Sequence, residues 1–149
     1  MYYQHDILMD LNQNHPKTTV AAIISRFKGA EEYILLTKRK VNPYLNKWCL
    51  PGGHINNNEL SRNAVIREVK EETGLDYLPQ FYNYFDEIIP GENIHAVVLI
   101  FFGGSSGTLV RDNSEISDAK WILLDDALNY DLGFQHGEIL KQYKASNKT

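Results

Sequence analysis

Three glutamates in the middle of the chain have the residue type and spacing of a metal site. Glu68, Glu71 and Glu72 stand at positions i, i+3 and i+4, so a helix places all three carboxylates on one face. Like charges at this spacing destabilise an isolated helix, which indicates that a cation covers the face. Because all donors are carboxylate oxygens, we expect Mg²⁺, with Mn²⁺ as the alternative. Such an ion activates water and neutralises phosphate oxygens.

The residues around these glutamates follow one another at fixed offsets. The segment from Gly53 to Leu75 reads GHINNNELSRNAVIREVKEETGL. In it, Gly53 is followed by five residues, Glu59, seven residues, and the run from Arg67 to Gly74. This order resembles the signature of the Nudix hydrolases, with every position filled. A solvated acidic helix face, the alternative interpretation, does not account for these offsets.

The resemblance implies a fold and a set of metal ligands. The fold is α/β, an α/β/α sandwich with a mixed β-sheet, in which the signature forms a loop, a helix and a second loop. The metal would be held by Glu68, Glu71 and Glu72 together with the backbone carbonyl of Gly52. Glycine suits that position because its backbone can approach an ion closely. Glu71 is also assigned to the catalytic set, and which Glu acts as general base is left open.

Three other signature residues are predicted to support the site. Arg67 precedes Glu71 by four residues, the spacing of a helical ion pair. We include Arg67 among the catalytic residues as the group that orients a carboxylate. Glu59 is predicted to lie in the first helical turn, where its charge favours the helix dipole, and is assigned a structural role. Gly74 fits the left-handed position that follows a helix.

Residues outside the helix complete the predicted site. Nudix proteins often place a further catalytic or metal-binding Glu on a loop before the last strand, and Glu115 is the matching candidate. Glu92 is its competitor, and a plain surface charge is the other interpretation of Glu115. Arg39 and Gly53 are assigned to substrate binding. For Arg39 the expected partner is a phosphate, and a surface Glu is the alternative.

The elements that must position these residues can be read from apolar patterns and turn residues. A helix is predicted from about Glu59 to Thr73, with N-cap candidates at 56–58. Its apolar arc should face the sheet through Val65, Ile66 and Val69, whereas the small Ser61 and Ala64 should leave room beside the glutamates. Strands are predicted at 18–27, 32–38, 80–89, 94–102 and 119–124, a turn at 90–93, a flexible loop at 103–107, a short helix from 125 and a C-terminal helix at 133–143.

Length, charge and composition limit the class of protein. The 149 residues fit one domain, which we assign to 17–149, preceded by an N-terminal arm at 1–16. The net charge of −4 argues against nucleic-acid binding, and no apolar run approaches the roughly 20 residues needed to span a bilayer. One cysteine and no evident signal peptide predict a cytoplasmic protein. The expected partner is a small nucleotide, and a homodimer is left open.

Several other residue types are expected to pack rather than react. Cys49 lies in an apolar segment and is predicted to be buried, without a nucleophilic role. The five histidines show no metal-ligand spacing. Trp48 can stack on a base, but core packing is favoured. For Tyr44, Phe85 and Phe134 both interpretations stay open.

The substrate is predicted from features outside the signature. Pro90 stands 15 residues after Leu75, similar to the proline position of ADP-ribose pyrophosphatases of this family. The resemblance therefore favours hydrolysis of ADP-ribose to AMP and ribose 5-phosphate. A nucleoside triphosphate pyrophosphatase acting on dGTP or oxidised dGTP fits this chain length equally well. A catalytically idle nucleotide-sensing domain is the alternative of another class, disfavoured because such domains often lose the glutamates kept here.

Overall fold

The computed structural model describes residues 15–146, so the predicted N-terminal arm lies outside the described residues except for its last two positions. Its strands are β1 (Lys17–Lys28), β2 (Glu31–Arg39), β3 (Trp48–Cys49), β4 (Gly52–His54), β5 (Asp76–Tyr77), β6 (Gln80–Ile89), β7 (Ile94–Gly103), β8 (Ser105–Ser106) and β9 (Ile116–Leu123). Its helices are α1 (Ser61–Thr73), α2 (Leu124–Ala127) and α3 (His136–Ser146), and a 3₁₀ turn covers Pro90–Glu92. In this part of the chain no helix is long and apolar enough to cross a membrane.

Strand β1 organises a mixed seven-stranded sheet. The strands run in the order β3-β2-β1-β7-β6, with β4 added to β1 and β9 added to β2. The β1–β7 pair is parallel and the other pairs are antiparallel. The first part of β1 pairs with β4 through Thr19, Val20 and Ala21, whereas its end pairs with β2. The mixed sheet predicted from the sequence is confirmed.

The sheet is covered on both faces, which explains the unbroken apolar run in β1. Residues 20–24 are all buried, and a strand points successive side chains to opposite faces. Ala21 and Ile23 join the core cluster that contains Ile139 and Leu140 of α3. The intervening residues of β1 join the other cluster, with Val65 and Val69 of α1. One helix layer on each face gives the expected α/β/α sandwich.

Helix α1 begins two residues later than predicted, and the asparagines do not cap it. Its N-cap residue is Leu60, which makes no capping hydrogen bond through a side chain. Asn58 adopts a left-handed φ of 63°, so the chain turns before the helix can start. Asn56 and Glu59 close that turn, because the backbone N–H of Asn56 donates to Glu59 Oε1 at 3.0 Å. The prediction that Glu59 lies in the first helical turn was therefore wrong.

The end of α1 follows the sequence prediction. Gly74 has a left-handed φ of 76°, and its N–H donates to the carbonyl of Lys70 at 2.9 Å. A Cβ atom here would lie 2.9 Å from Val110 Cγ2, so both the conformation and the space favour glycine.

The buried face of α1 differs in part from the predicted arc. Val65 and Val69 are fully buried as expected, but Ile66 is only half-buried. Ala64 is fully buried in the same core cluster, so it packs against the sheet instead of leaving room beside the glutamates. The arc that faces the sheet is therefore rotated toward Ala64, which turns Glu68 and Glu72 inward as well.

Three segments in the second half of the chain also differ from the predictions. The expected flexible loop at 103–107 contains β8, whose two residues pair with Asp76 and Tyr77 of β5. Strand β9 begins three residues earlier than predicted, at Ile116, because it pairs with the long strand β2. Helix α3 begins at His136 and not at 133, since Phe134 has a left-handed φ of 57° that a helix cannot accommodate.

Candidate active site

Three carboxylates meet where the inner side of α1 faces the loop before β9. Ligand atoms of Glu68, Glu72 and Glu115 lie within 4.8 Å of one another. Glu68 and Glu72 are 9 % and 7 % exposed, whereas Glu115 is open to solvent. Oxygen donors at this separation can share one or more hard divalent ions, so the donor set fits Mg²⁺.

Asn113 connects the loop that carries Glu115 to helix α1. Its side-chain nitrogen donates to the carbonyl of Glu72 at 2.7 Å, and its side-chain oxygen accepts the N–H groups of Glu115 and Ile116. The N–H of Lys40 donates to the carbonyl of Glu115 at 2.9 Å. These four hydrogen bonds hold Glu115 beside the helix, although it lies 42 positions after the last residue of α1, Thr73.

The cluster carries more negative charge than its surroundings compensate. Burial raises the pKa of Glu72 well above its usual range, and the nearby charges of Glu68 and Glu115 raise it further. Burial also raises the pKa of Glu68, an effect that its hydrogen bond with Arg67 partly opposes. A divalent cation would stabilise the charged form of all three groups, which is the electrostatic reason to expect a metal here.

Gly52 and Gly53 shape the side of the cluster that faces β1. The N–H of Gly52 donates to Glu72 Oε2 at 3.0 Å. A Cβ atom at Gly52 would lie 2.1 Å from the carbonyl oxygen of Val20, and one at Gly53 would lie 2.5 Å from the carboxyl carbon of Glu68. A side chain at Gly52 would collide with backbone, whereas one at Gly53 would have to displace the Glu68 carboxylate, which packs directly against Gly53.

Arg67 is held by contacts within the protein. Its Nε and Nη2 donate to the two carboxylate oxygens of Glu59 at 2.8 and 3.0 Å, and Nη2 also donates to the carbonyl of His54. Nη1 donates to Glu68 Oε1 at 2.9 Å and to Glu71 Oε2 at 3.2 Å. The Arg67 hydrogen bonds lower the pKa of Glu59 to about 2. These hydrogen bonds fix the Arg67 guanidinium between Glu59 and Glu68, and the orienting role of Arg67 and the structural role of Glu59 stay predictions.

Glu71 lies outside the carboxylate cluster. Its side chain is half exposed and pairs with Arg67 on the outer side of α1. Adjacent helical residues are about 100° apart, so turning Glu72 toward the sheet turns Glu71 away from it. The structure thus brings Glu115, not Glu71, to the two buried glutamates, and the metal-binding and catalytic roles of Glu71 stay predictions.

A cleft of about 880 Å³ opens beside the cluster and can take a nucleotide-sized molecule. It is bordered by Glu68, Glu72 and Glu115 at one end, and Arg39 also lines it. Glu92, the alternative to Glu115, does not border this cleft.

Arg39 is placed in the cleft by the loop that follows β2. Its Nε donates to the carbonyl of Pro43 at 2.6 Å, and its guanidinium lies 5.0 Å from the ring centroid of Phe134. Among residues 15–146 it forms no ion pair with a carboxylate. The alternative that Arg39 pairs with a surface Glu is therefore not seen among the described residues. Its contact with a phosphate stays a prediction.

Three residues of the cleft wall escaped the sequence analysis in whole or in part. For Phe134 the sequence leaves base stacking and core packing open, for Glu87 it predicts no role, and for His136 it predicts only a surface or packed residue. Phe134 stacks on His136 with ring centroids 5.2 Å apart. Glu87 is 4 % exposed and accepts a hydrogen bond from the N–H of Gln135. Its signal was a charged residue on the same strand face as Phe85, which packs against the core.

The residues that were expected to pack do so. Trp48 packs against the core and meets Tyr130 edge to face at 6.3 Å. Cys49 is buried, and burial raises the pKa of its thiol to about 12, so it is not a thiolate at neutral pH. In the described part of the chain, no histidine joins a metal-type cluster.

Burial of His136 makes the stability of the protein sensitive to acid. Its Nδ1 accepts the N–H of Leu50 at 2.9 Å, and burial, with a smaller effect of Arg39, lowers its pKa to about 3. The unfolded chain binds a proton near pH 6.5, whereas the folded protein resists protonation until about pH 3. Stability from this group is therefore present above pH 6.5 and is lost as the pH falls toward 3.

We expect this group alone to lower the free energy of unfolding by about 1.4 kcal/mol between pH 7.5 and pH 5.5. Asn at position 136 can still accept the Leu50 N–H but does not titrate, so His136→Asn should remove that component. Urea unfolding of the wild type and the variant at both pH values measures it. The exposed His95→Asn serves as the control. An identical pH dependence of wild type and His136→Asn would contradict the assignment.

Comparison with known proteins agrees with this architecture. The NUDIX domain model matches residues 15–143, and the chain therefore belongs to the Nudix family. An ADP-ribose pyrophosphatase from Methanocaldococcus jannaschii is 32 % identical over 133 residues, which cover 87 % of this chain and 73 % of the relative. Together with the site, these hydrolase relatives identify a Nudix-type pyrophosphohydrolase.

Two further comparisons concern nucleotides of different kinds. The nucleoside triphosphatase NudI from Escherichia coli is 30 % identical over 96 residues, 58 % of this chain and 68 % of the relative. The solved NUDIX domain of Shewanella oneidensis NrtR, complexed with ADP ribose, superposes with a TM-score of 0.80. It is 22 % identical, with 96 % of this chain and 97 % of that domain covered, so this likeness concerns the fold.

Proposed function

We propose that the protein hydrolyses the pyrophosphate bond of ADP-ribose, in a Mg²⁺-dependent reaction, to AMP and ribose 5-phosphate. The observation that carries the proposal is the meeting of Glu68, Glu72 and Glu115 at one end of a nucleotide-sized cleft. The similarity to an ADP-ribose pyrophosphatase over most of both chains supports this substrate.

In the proposed mechanism each residue has one task. Glu68 and Glu72, with the Gly52 carbonyl, would hold the divalent metal, which would lower the pKa of water and neutralise phosphate oxygens when bound. Arg67 fixes the orientation of Glu68, and Arg39 contacts a phosphate of the substrate.

Proton transfer is assigned to the exposed member of the cluster. Glu115 accepts the proton as water oxygen attacks one phosphorus atom, and the bond from that phosphorus to the bridging oxygen breaks. The bridging oxygen leaves with the other phosphate. Glu115 can exchange this proton with solvent because its side chain is open to water.

A nucleoside triphosphate is the second candidate substrate, because part of the chain is similar to NudI. A triphosphate needs several cationic groups around its terminal phosphates. Among residues 15–146, the arginine and lysine side chains that border the cleft are those of Arg39 and the exposed Lys17. This small number of cations favours a substrate that ends in a sugar.

We expect hydrolysis of ADP-ribose with Mg²⁺ or Mn²⁺ and its loss when EDTA removes the metal. The test compares kcat/KM for ADP-ribose, other nucleoside diphosphate sugars and dGTP under one metal condition. A higher kcat/KM for dGTP would show that the substrate is a nucleoside triphosphate and not ADP-ribose, while the assignment of pyrophosphate hydrolysis would stand. Tight ADP-ribose binding without hydrolysis under any metal would instead indicate a sensing domain.

A further inference from the structure

A second buried carboxyl group borders the cleft, apart from the metal-type cluster. Glu87 lies on β6 and is only 4 % exposed, yet it lines the cleft wall. Burial raises the pKa of Glu87, and the hydrogen bond from Gln135 partly opposes this change. Within residues 15–146, no cationic side chain pairs with it. Burying a carboxyl group without such a partner costs free energy, so its retention calls for an explanation.

The two oxygens of Glu87 have different environments. Oε2 accepts the N–H of Gln135 at 3.1 Å, just before helix α3 begins. Oε1 has no hydrogen bond within the described residues. Every fully buried side-chain oxygen or nitrogen among these residues does have a hydrogen-bond partner. Oε1 is therefore not fully buried, and Glu87 lines the open cleft. One oxygen is committed to the fold and the other is available to a ligand.

The strand register places Glu87 at the end of the cleft away from the cluster. Glu87 on β6 is paired with Ala96 on β7, and Ala96 is paired with Lys17 on β1. The small Ala96 forms the floor between two longer side chains. Gly52, beside the cluster, is paired with Ala21, four residues farther along β1 and therefore about 13 Å away along the strand. That separation suits the part of a nucleotide substrate remote from its pyrophosphate.

We infer that Glu87 determines substrate specificity by accepting, through Oε1, a hydrogen bond from a donor on the part of the substrate remote from the hydrolysed bond. The inference rests on the proposed function and deepens it. An ionised carboxylate is an acceptor only, so it selects sugar hydroxyls or the amine of a base. Carboxylates commonly hold ribose hydroxyls in nucleotide sites. A phosphate in the same place would be repelled, which disfavours triphosphates.

The substitution Glu87→Gln separates recognition from support of the fold. The carboxamide oxygen of Gln can still accept the Gln135 N–H, which turns its NH₂ group, a donor, toward the cleft. We expect kcat/KM for ADP-ribose to fall about 10- to 100-fold, mainly through KM, because a hydrogen bond to a charged acceptor is lost. The thermal midpoint should not fall. The matched control is Glu92→Gln, because Glu92 lies in the 3₁₀ turn that follows β6 and does not line the cleft.

Three analogues of ADP-ribose identify the donor. One carries hypoxanthine in place of adenine, one lacks the 2′-hydroxyl of the adenosine ribose, and one carries a simple alkyl group in place of the terminal ribose. With the wild type, kcat/KM for the analogue that lacks the donor should be lower than for ADP-ribose by about the factor expected for Glu87→Gln. On that analogue, Glu87→Gln should cause no further fall in kcat/KM. An equal cost of Glu87→Gln on every analogue, or none on ADP-ribose, would overturn the inference.

Calorimetric titration of ADP-ribose keeps the two proposals separate. If the wild type binds ADP-ribose without hydrolysing it and Glu87→Gln weakens binding, the proposed activity fails and the role of Glu87 stands. If the wild type hydrolyses ADP-ribose and Glu87→Gln behaves like Glu92→Gln, only the role of Glu87 fails. Absence of both binding and hydrolysis would overturn both.

Discussion

Glu72→Gln is expected to lower kcat for ADP-ribose by about 10³-fold, the equivalent of about 4 kcal/mol of transition-state stabilisation. Glu72 is the most buried carboxylate of the cluster, and the substitution removes its negative charge while keeping its shape. The metal would then be under-coordinated where the phosphate charge develops. The N–H of Gly52 can still donate to the Gln oxygen, so the local fold is retained.

The same substitution should leave the thermal midpoint of the metal-free protein at or above that of the wild type. The folded state raises the pKa of Glu72, so at neutral pH the buried charge costs stability that neutral Gln does not. Steady-state kinetics and thermal unfolding without metal test the two parts, with Glu92→Gln as control. Full activity of Glu72→Gln would show that Glu72 is not a ligand, and a large fall in the midpoint would point to a structural role.

Gly53→Ala is expected to reduce kcat/KM by about 10²-fold, because displacing a group of the active site by about 1 Å can lower the rate by this factor. The new Cβ would lie 2.5 Å from the carboxyl carbon of Glu68, so the carboxylate must move out of the cluster. Since Glu68 is the end of a side chain, the fold can adjust with little loss of stability. When activity is measured against metal concentration, the half-saturating concentration should be higher than in the wild type, because the metal binds more weakly.

Two neighbouring substitutions serve as comparisons for Gly53→Ala. Gly52→Ala places its Cβ 2.1 Å from the backbone oxygen of Val20, which cannot rotate away, so it should lower the thermal midpoint as well as the activity. Gly104→Ala meets nothing within 4 Å and should change neither quantity. If Gly53→Ala retained wild-type kcat/KM and metal dependence, the position of the Glu68 carboxylate would not matter for the reaction.

The sequence predicted the fold well where side-chain periodicity is strong. The buried run in β1 and the αL position of Gly74 both follow from local patterns, and the structure has both. The predictions at the start of α1 and at 103–107 were wrong because those segments depend on partners distant in sequence. Glu59 is drawn to Arg67, and β8 exists only as the partner of β5.

The candidate site could be predicted in part for the same reason. Glu68 and Glu72 were found because helical spacing fixes their separation. Glu71 was expected to join them, but the rotation of α1 about its axis depends on packing against the sheet and cannot be read from the helix alone. Glu87 was overlooked because its partner Gln135, in the segment just before α3, lies 48 residues farther along the chain.

The parallel pairing of β1 with β7 has a consequence for synthesis of the protein. Strand β1 is synthesised before its parallel neighbour β7, and β2, the signature helix and β6 lie between the two strands in the chain. Such pairing between distant segments is slow, since a long loop must close first. The segment that forms the helix with Glu68 and Glu72 is therefore synthesised before Ala96 of the cleft floor and before Glu115. The nascent chain gains hydrolytic capacity late, and a truncated product carries the recognisable signature without a working enzyme.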